Sequence, residues 1–313
     1  NGASDQLILD ADADTTISAD TDDQIDIKIG GTDAFRITGT ALTGNALATI
    51  GATGTASSLA GIPFYNADNS IYTHDVSGTD STAEKNVAIG ITAMDAITTG
   101  DQNVAIGHAA ASAITDDAQN VAVGASAMET SVSTQCTAVG FEALKVGQYG
   151  GHTAIGFEAL KSNTTGANNT AVGSEAMENN TLGNNNVAVG LEALTANTEG
   201  DANVAIGSRA LDACDTEDYN LAIGYAALGG SIAGGEYNVA VGSFGLDALT
   251  SGDGCVVVGY NAGTGITSGG ENTCIGFQAG TGLSTGVSNT IIGGSAQAGH
   301  TGADQQTIIG RGA

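Results

Sequence analysis

Short segments in which apolar and small residues alternate before a glycine recur along most of the chain. The first, NVAIG, covers Asn86 to Gly90, and it returns at Asn103 to Gly107. β-Branched residues at the first and third apolar sites favour a short strand whose side chains point alternately to two faces. The segment after the glycine, typically x-x-A-L, is too short for an independent helix and predicts a second short strand or a tight turn. Turn-forming residues then lead into the next segment.

The closing glycines set the period. They lie at 90, 107, 124, 140, 156, 173, 190, 207, 224, 242, 259, 276, 293 and 310, so the usual step is 17 residues. That is too short for the helix pair of a helical solenoid, which takes about 33 residues, but it suits one coil of a β-solenoid. Stacking at ~4.8 Å per coil gives a rod about 65 Å long. The predicted fold is all-β: a parallel β-roll or β-solenoid of 14 coils after a β-rich N-terminal region.

Residues at equal positions in successive coils stack into columns. We make specific predictions for the strand residues and for the asparagine that precedes each strand. We expect Val87 and Ile89 to fill the coil and Ala88 to form a stripe of small side chains facing the three-fold axis of a homotrimer. The same packing is predicted for Val104, Ala105, Ile106, Ala171, Ala188, Ala205 and Ala240. The asparagine before each strand predicts a ladder of side-chain amides bonded along the rod. Its members are Asn86, Asn103, Asn120, Asn169, Asn186, Asn203, Asn220, Asn238, Asn272 and Asn289.

The repeat resembles the N-S-V-A-I-G-type repeats of trimeric autotransporter adhesin heads, which build a left-handed parallel β-roll in a homotrimer. It is still more similar to the N-T-A-V-G-x-x-A-L repeats of bacteriophage tail-fibre proteins, especially marine ones. The resemblance covers about residues 86–310. It implies a homotrimeric structural fibre in the virion tail, outside the cell, with other virion proteins and a host surface receptor, glycan or protein, as partners. In such fibres a C-terminal chaperone domain trimerises the chain and cuts itself away, and the ending IIGRGA is compatible with such a cut.

The chain before residue 86 has a different character. We predict a β-strand region at 1–40, a Gly-rich stem with an aromatic segment at 41–85, and the repeat shaft at 86–313. In the first region an alternating run places Asp10, Asp12 and Asp14 on one face. An EF-hand is excluded because Thr15 and Thr21 stand where its loop needs Gly and Glu. A calcium site between three chains and a solvated strand face remain the alternatives, and no other cofactor is expected.

The net charge of the chain makes some classes of binding partner unfavourable. The chain has 34 acidic and 7 basic residues and a net charge of −27, which disfavours binding to nucleic acid or to anionic membranes. No apolar segment is long enough for membrane insertion. The four cysteines, at 136, 214, 255 and 274, replace repeat residues singly and lack metal-ligand spacing.

Catalytic signatures are absent from the sequence, so no enzymatic activity is predicted. The histidines at 74, 108, 152 and 300 fall in unrelated slots, and no nucleophile elbow, zinc motif or P-loop occurs. The acidic residues that recur two positions after the glycine, Glu142, Glu158, Glu175 and Glu192, predict a row of repelling charges. Residues that break the repeat are the better candidates for ligand contact: 149–152, Arg209, Tyr219 and Tyr237.

Three alternatives stay open. A bacterial trimeric surface adhesin would have an anchor domain encoded downstream, whereas baseplate or capsid genes nearby would indicate a phage. An ice-binding solenoid needs a flat, regular Thr-x-Thr array, and Thr164, Thr165, Thr170 and Thr181 do not hold one slot throughout. A glycan-cleaving tailspike needs paired carboxylates in a groove, which could form between chains.

Overall fold

The computed structural model describes residues 71–73, 82–297 and 301–313, and of the earlier chain only the backbone of the strands. The first five strands are β1 (Asp5–Ile8), β2 (Thr16–Ala19), β3 (Gln24–Ile29), β4 (Thr32–Thr38) and β5 (Leu42–Thr43). Each pairs antiparallel with the next, as a meander. Asp10, Asp12 and Asp14, the proposed calcium ligands, lie outside the described residues.

Three further strands precede the first NVAIG segment, within the predicted stem. They are β6 (Ser57–Leu59), β7 (Ile62–Ala67) and β8 (Ser70–Tyr72), paired antiparallel in sequence. Strand β8 then runs parallel to β9 (Val87–Ile89), with Tyr72 opposite Ala88. The parallel ladder therefore begins one strand before the first repeat, and the buried ring of Tyr72 lies at its start.

Fourteen three-residue strands form the rest of the ladder. After β9 they are β10 (Val104–Ile106), β11 (Val121–Val123), β12 (Thr137–Val139), β13 (Thr153–Ile155), β14 (Thr170–Val172), β15 (Val187–Val189), β16 (Val204–Ile206), β17 (Leu221–Ile223), β18 (Val239–Val241), β19 (Val256–Val258), β20 (Thr273–Ile275), β21 (Thr290–Ile292) and β22 (Thr307–Ile309). Each pairs in parallel with the next, and equal repeat positions face each other. The prediction of a parallel β-solenoid with a 17-residue period is confirmed, with about thirteen turns.

The middle residue of each strand points into the coil. Ala88 is fully buried, whereas Ile89 is 43% exposed and Val87 is partly exposed. The expectation that Val87 and Ile89 fill the coil and that Ala88 faces outward is therefore wrong. The physical reason is the narrowness of the coil, because Ala93 and Met94 on its opposite wall are also fully buried and leave room only for a methyl group. The larger β-branched side chains of this strand lie outside, where space is unrestricted. In two later coils Val257 and Ile291 are buried at the middle position, where Gly263 and Gln297 replace the methionine or leucine of the opposite wall.

The x-x-A-L segment is a turn with an unusual backbone. Glu192 and Leu194 both have φ of 54°, a left-handed conformation that L-residues rarely adopt. The N–H of Glu192 donates to Ser174 O at 3.0 Å in the preceding coil, and the N–H of Leu194 donates to Ala210 O at 3.0 Å in the following coil. Hydrogen bonds to both neighbouring coils thus offset the strain of the turn.

The closing glycines hold the coils at contact distance. At Gly190 φ is 142°, and an added Cβ would lie 2.5 Å from the carbonyl oxygen of Gly207 in the next coil. The equivalent glycines share this geometry, with φ between 132° and 144°. Only glycine fits because both the backbone conformation and the close approach exclude a side chain. This requirement explains why the glycine recurs in every coil.

Candidate interaction surface

The outward-facing first and third residues of β9 to β22 form one uninterrupted surface, which we call the apolar strip. All 28 of its positions are Val, Ile, Leu or Thr, so the strip carries no charge in a chain whose net charge is −27. Its third-position residues are substantially exposed: 39% at Ile206, 38% at Val258 and 38% at Ile275. Exposed β-branched side chains therefore run along the whole ladder on one face.

Aromatic side chains border the apolar strip. Phe141 stacks on Phe157 at 5.6 Å, and Tyr260 stacks on Phe277 at 5.6 Å, just after the closing glycines. All four rings are roughly half exposed. Five residues before the glycine, beyond the buried asparagine, Tyr219 stacks on Tyr237, but most other coils carry a polar residue in that column, such as Gln119, Asn185 and Glu271. The strip is therefore extended by aromatic rings on the side that follows the closing glycine.

The size of this face is that of a protein interface. Thirteen strand spacings make it about 60 Å long, and three strand residues with their flanks make it about 15 Å wide. The area of about 900 Å² compares with the ~800 Å² per partner of a standard stable interface. It exceeds the ~300–600 Å² of the largest patch on a typical monomer.

The asparagine ladder lies inside the coil wall, and its bonds differ from the prediction. The N–H of Asn103 donates to Asn86 Oδ1 at 2.8 Å, while Asn86 Nδ2 donates to Gly100 O at 2.8 Å. The expected bonds from amide to amide are thus wrong as the general pattern. Each amide instead joins the backbone of the next coil to the turn of its own coil. All ten predicted members of the ladder are at most 1% exposed.

A second ladder, which we did not predict, does bond from amide to amide. Asn180 Nδ2 donates to Asn163 Oδ1, and Asn197 Nδ2 donates to Asn180 Oδ1, both at 2.7 Å. The column ends at Asn197, whose buried Oδ1 has no partner, because the next coil has Cys214 in that slot. The sequence does contain a signal for this ladder, because an asparagine follows each of three successive closing glycines by seven residues.

His152 occupies an asparagine slot of the first ladder. Its Nδ1 accepts the backbone N–H of Asn169 at 3.2 Å, and its Nε2 lies 3.3 Å from Asn163 Nδ2. The ring is 1% exposed. Burial lowers the pKa of His152, and protonation of Nδ1 would place a proton against the N–H of Asn169. The neutral ring is therefore the form that fits.

The glutamate row is less repulsive than the sequence suggested. Lys145 pairs with Glu142 at 2.7 Å, Lys161 pairs with Glu158 at 3.0 Å and with Glu142 at 3.1 Å, and Arg209 pairs with Glu192 at 2.7 Å. Cations thus lie between the carboxylates of successive coils. Such partly exposed pairs contribute little to stability, but they reduce the expected repulsion at Glu142, Glu158 and Glu192 and account for Arg209.

A column of threonines, also not predicted, lies eight residues after the glycines: Thr98, Thr115, Thr164, Thr181, Thr198, Thr250, Thr267 and Thr301. Thr164 and Thr181 share this slot, but Thr165 and Thr170 do not, and five other coils carry a different residue there, so the threonines do not hold one slot throughout. Thr164 Oγ1 donates to Thr181 O at 2.9 Å and Thr181 Oγ1 to Thr198 O at 3.0 Å. These hydroxyl protons are engaged between coils and do not face water.

An open groove of about 610 Å³ lies at the coil in which successive closing glycines are 18 residues apart, the only step of that length. Glu217, 5% exposed, lies in its lining. Its Oε2 accepts the N–H of Asp215 at 3.0 Å and its Oε1 that of Gly234 at 2.9 Å. This carboxylate replaces backbone bonds where the inserted residue separates the coils, which is a structural role.

The four cysteines are buried and unpaired, and burial raises the pKa of all four thiols. Among the described residues, no three or more His, Cys, Asp or Glu side chains are close enough together to hold a metal ion. Within the same residues, no helix has the length and apolar character to cross a bilayer.

Comparisons with known proteins give no match to this chain. No family model matches the sequence, and no significant similarity is found to a curated protein or to a solved structure.

Proposed function

We propose that the chain is a shaft-forming structural protein, a homotrimeric fibre of a bacteriophage tail that takes part in attachment to the host. The observation that supports this function is the apolar strip, an uncharged face about 60 Å long by the strand spacing, on an otherwise acidic rod. An exposed apolar surface of this size favours a protein partner.

The partner that fits the apolar strip best is a further copy of the same chain. A partner must match an uncharged surface that repeats every ~4.8 Å along the rod. Another copy, aligned in parallel and in register, offers the same period over the same length. The net charge of −27 per chain disfavours contacts between the acidic faces and favours contact through the strip. The resemblance to trimeric adhesin heads and phage fibres favours three copies around one axis.

The native mass is the direct test of this assembly. A trimer of the 30.6 kDa chain has a mass of about 92 kDa, and we expect light scattering to give that value and electron micrographs to show thin rods. A variant with three lysines on the strip should lose the trimer: Val189→Lys, Ile206→Lys and Val258→Lys. The matched control places the same lysines at equally exposed residues off the strip: Val132→Lys, Leu182→Lys and Val287→Lys. A native monomer, or equal behaviour of both variants, would refute the assembly.

A cross-link gives an answer even if the strip variant fails to fold. A parallel trimer in register brings position 206 of each chain to the common axis, so Ile206→Cys should form disulfide-linked dimers on oxidation, whereas Leu182→Cys should not. The native cysteines are buried and do not compete. No link at position 206 would contradict the parallel arrangement.

Location is tested separately. Antibodies to the purified chain are expected to label the tails of virions in electron micrographs. Labelling of the surface of uninfected bacteria would instead indicate the adhesin, which has the same rod.

A further inference from the structure

The stacked tyrosines Tyr219 and Tyr237 are exposed, and each directly follows an acidic residue, Asp218 or Glu236. Their ring centroids are 5.1 Å apart and their planes differ by 5°, close to the spacing of successive coils. The rings therefore stack along the rod axis. Tyr237 is 58% exposed, and its outer face is directed towards the next coil.

The next residue in this column is Gly254, which leaves the space beyond Tyr237 open. A Cβ at Gly254 would have only Glu271 Cγ within 4.0 Å. Glu271 occupies the same column one coil further on, and its Oε2 accepts the hydroxyl of Ser288 at 2.8 Å. Two strand spacings separate Tyr237 from Glu271, about 9.6 Å, so a slot wide enough for one compact group lies between an aromatic face and the side chain of Glu271.

The charge around the slot is negative. Asp218, Glu236 and Asp253 directly precede the column residues of their coils. Between residues 201 and 310 the only Lys or Arg is Arg209, which is paired with Glu192. A tyrosine face beside carboxylates that have no paired cation attracts organic cations, quaternary ammonium groups among them.

We propose that the slot bounded by Tyr237, Gly254 and Glu271 binds a quaternary ammonium group. The cation lies on the outer face of Tyr237 above the Gly254 backbone, with the carboxylates of Glu271 and Asp253 compensating its charge. All the groups involved belong to one chain, so the site does not depend on the proposed trimer. It gives the rod a chemical specificity for cationic alkylammonium groups.

Choline and its neutral isostere 3,3-dimethylbutan-1-ol are the probes that test this site. We expect saturation transfer from the intact protein to the choline methyl groups, with a shift of the Tyr237 ring resonances, and at least tenfold weaker binding of the isostere. Gly254→Asn should weaken choline binding at least tenfold by filling the slot. Asparagine fits here because Asn168 and Asn185 hold the same column with φ of 56° and 58°.

Ala202→Asn is the matched control, since it adds the same side chain on the far side of the tyrosine pair and should leave choline binding within twofold. Glu271→Gln should weaken binding severalfold while preserving the side-chain volume. Unchanged choline binding in Gly254→Asn would show that the cation is only a counterion of the acidic rod and would overturn the site. Equal binding of the neutral isostere would also overturn it. Circular dichroism confirms that each variant keeps the β-structure.

Discussion

Replacing one closing glycine by alanine should open the solenoid at that coil. In Gly190→Ala, the methyl group would lie 2.5 Å from the carbonyl oxygen of Gly207, at a φ of 142° that alanine does not favour. The conformational strain costs about 1–3 kcal/mol. Relief by backbone movement weakens two ladder bonds of 2.8 Å, from Gly190 N–H to Val172 O and from Gly207 N–H to Val189 O, at about 1 kcal/mol each. The expected loss of unfolding free energy is therefore about 3–5 kcal/mol.

Gly254→Ala is the matched control for this prediction. Its φ of 65° is left-handed, but a Cβ there meets nothing closer than 4.0 Å, so the expected cost is only about 1–2 kcal/mol. Urea unfolding followed by circular dichroism measures both variants. Limited proteolysis should detect new cleavage near residue 190, because a solenoid can open at one interface between coils. If Gly190→Ala loses no more stability than Gly254→Ala, the close approach of the glycines does not determine the repeat.

Three further changes test the internal columns. Burial lowers the pKa of His152, so the contribution of this residue to stability is complete above the unfolded-state pKa of about 6.5 and is lost as the pH falls from there towards the folded pKa. The urea midpoint of the native protein should therefore fall more between pH 7 and 5 than that of His152→Asn. Parallel pH profiles of the two proteins would contradict this. Glu217→Gln should cost about 1–3 kcal/mol in urea unfolding, because the amide keeps one acceptor oxygen and its NH₂ must face the backbone N–H of either Asp215 or Gly234. Glu199→Gln on the exposed turn is its control. Asn186→Ala should cost about 2–3 kcal/mol, because it removes the acceptor of the Asn203 N–H and the donor to Gly200 O. Asn186→Cys should cost less, because Cys255 occupies this slot naturally and its thiol contacts Gly269 O at 3.2 Å; equal losses in the two variants would contradict this expectation.

The period of the glycines was sufficient to predict the solenoid, but the sequence did not reveal which strand face is inside. In V-A-I both faces are apolar, so alternation alone cannot assign them. The structure decides through volume. Met94 or a leucine on the opposite wall leaves room only for alanine at the middle position, whereas Val257 is buried at that position where Gly263 replaces the larger side chain. The Asn163 ladder escaped prediction for a related reason: an asparagine in a turn also suits exposed turn chemistry, and only the coil geometry shows that this column is buried.

The composition of the apolar strip is not explained by the folding of a single chain. Strand propensity accounts for Val, Ile and Thr at outward positions, but a solvent-facing strand surface normally includes charged and amide side chains. None occurs at the 28 strip positions, although such residues are frequent in the turns of the same coils. The third-position side chains are also too exposed to contribute much to the core of one chain, as the 43% exposure of Ile89 and the 39% exposure of Ile106 indicate. Exclusion of charge along the full ladder is expected where the face becomes buried against another chain, and this argument supports assembly through the strip independently of any resemblance to known fibres.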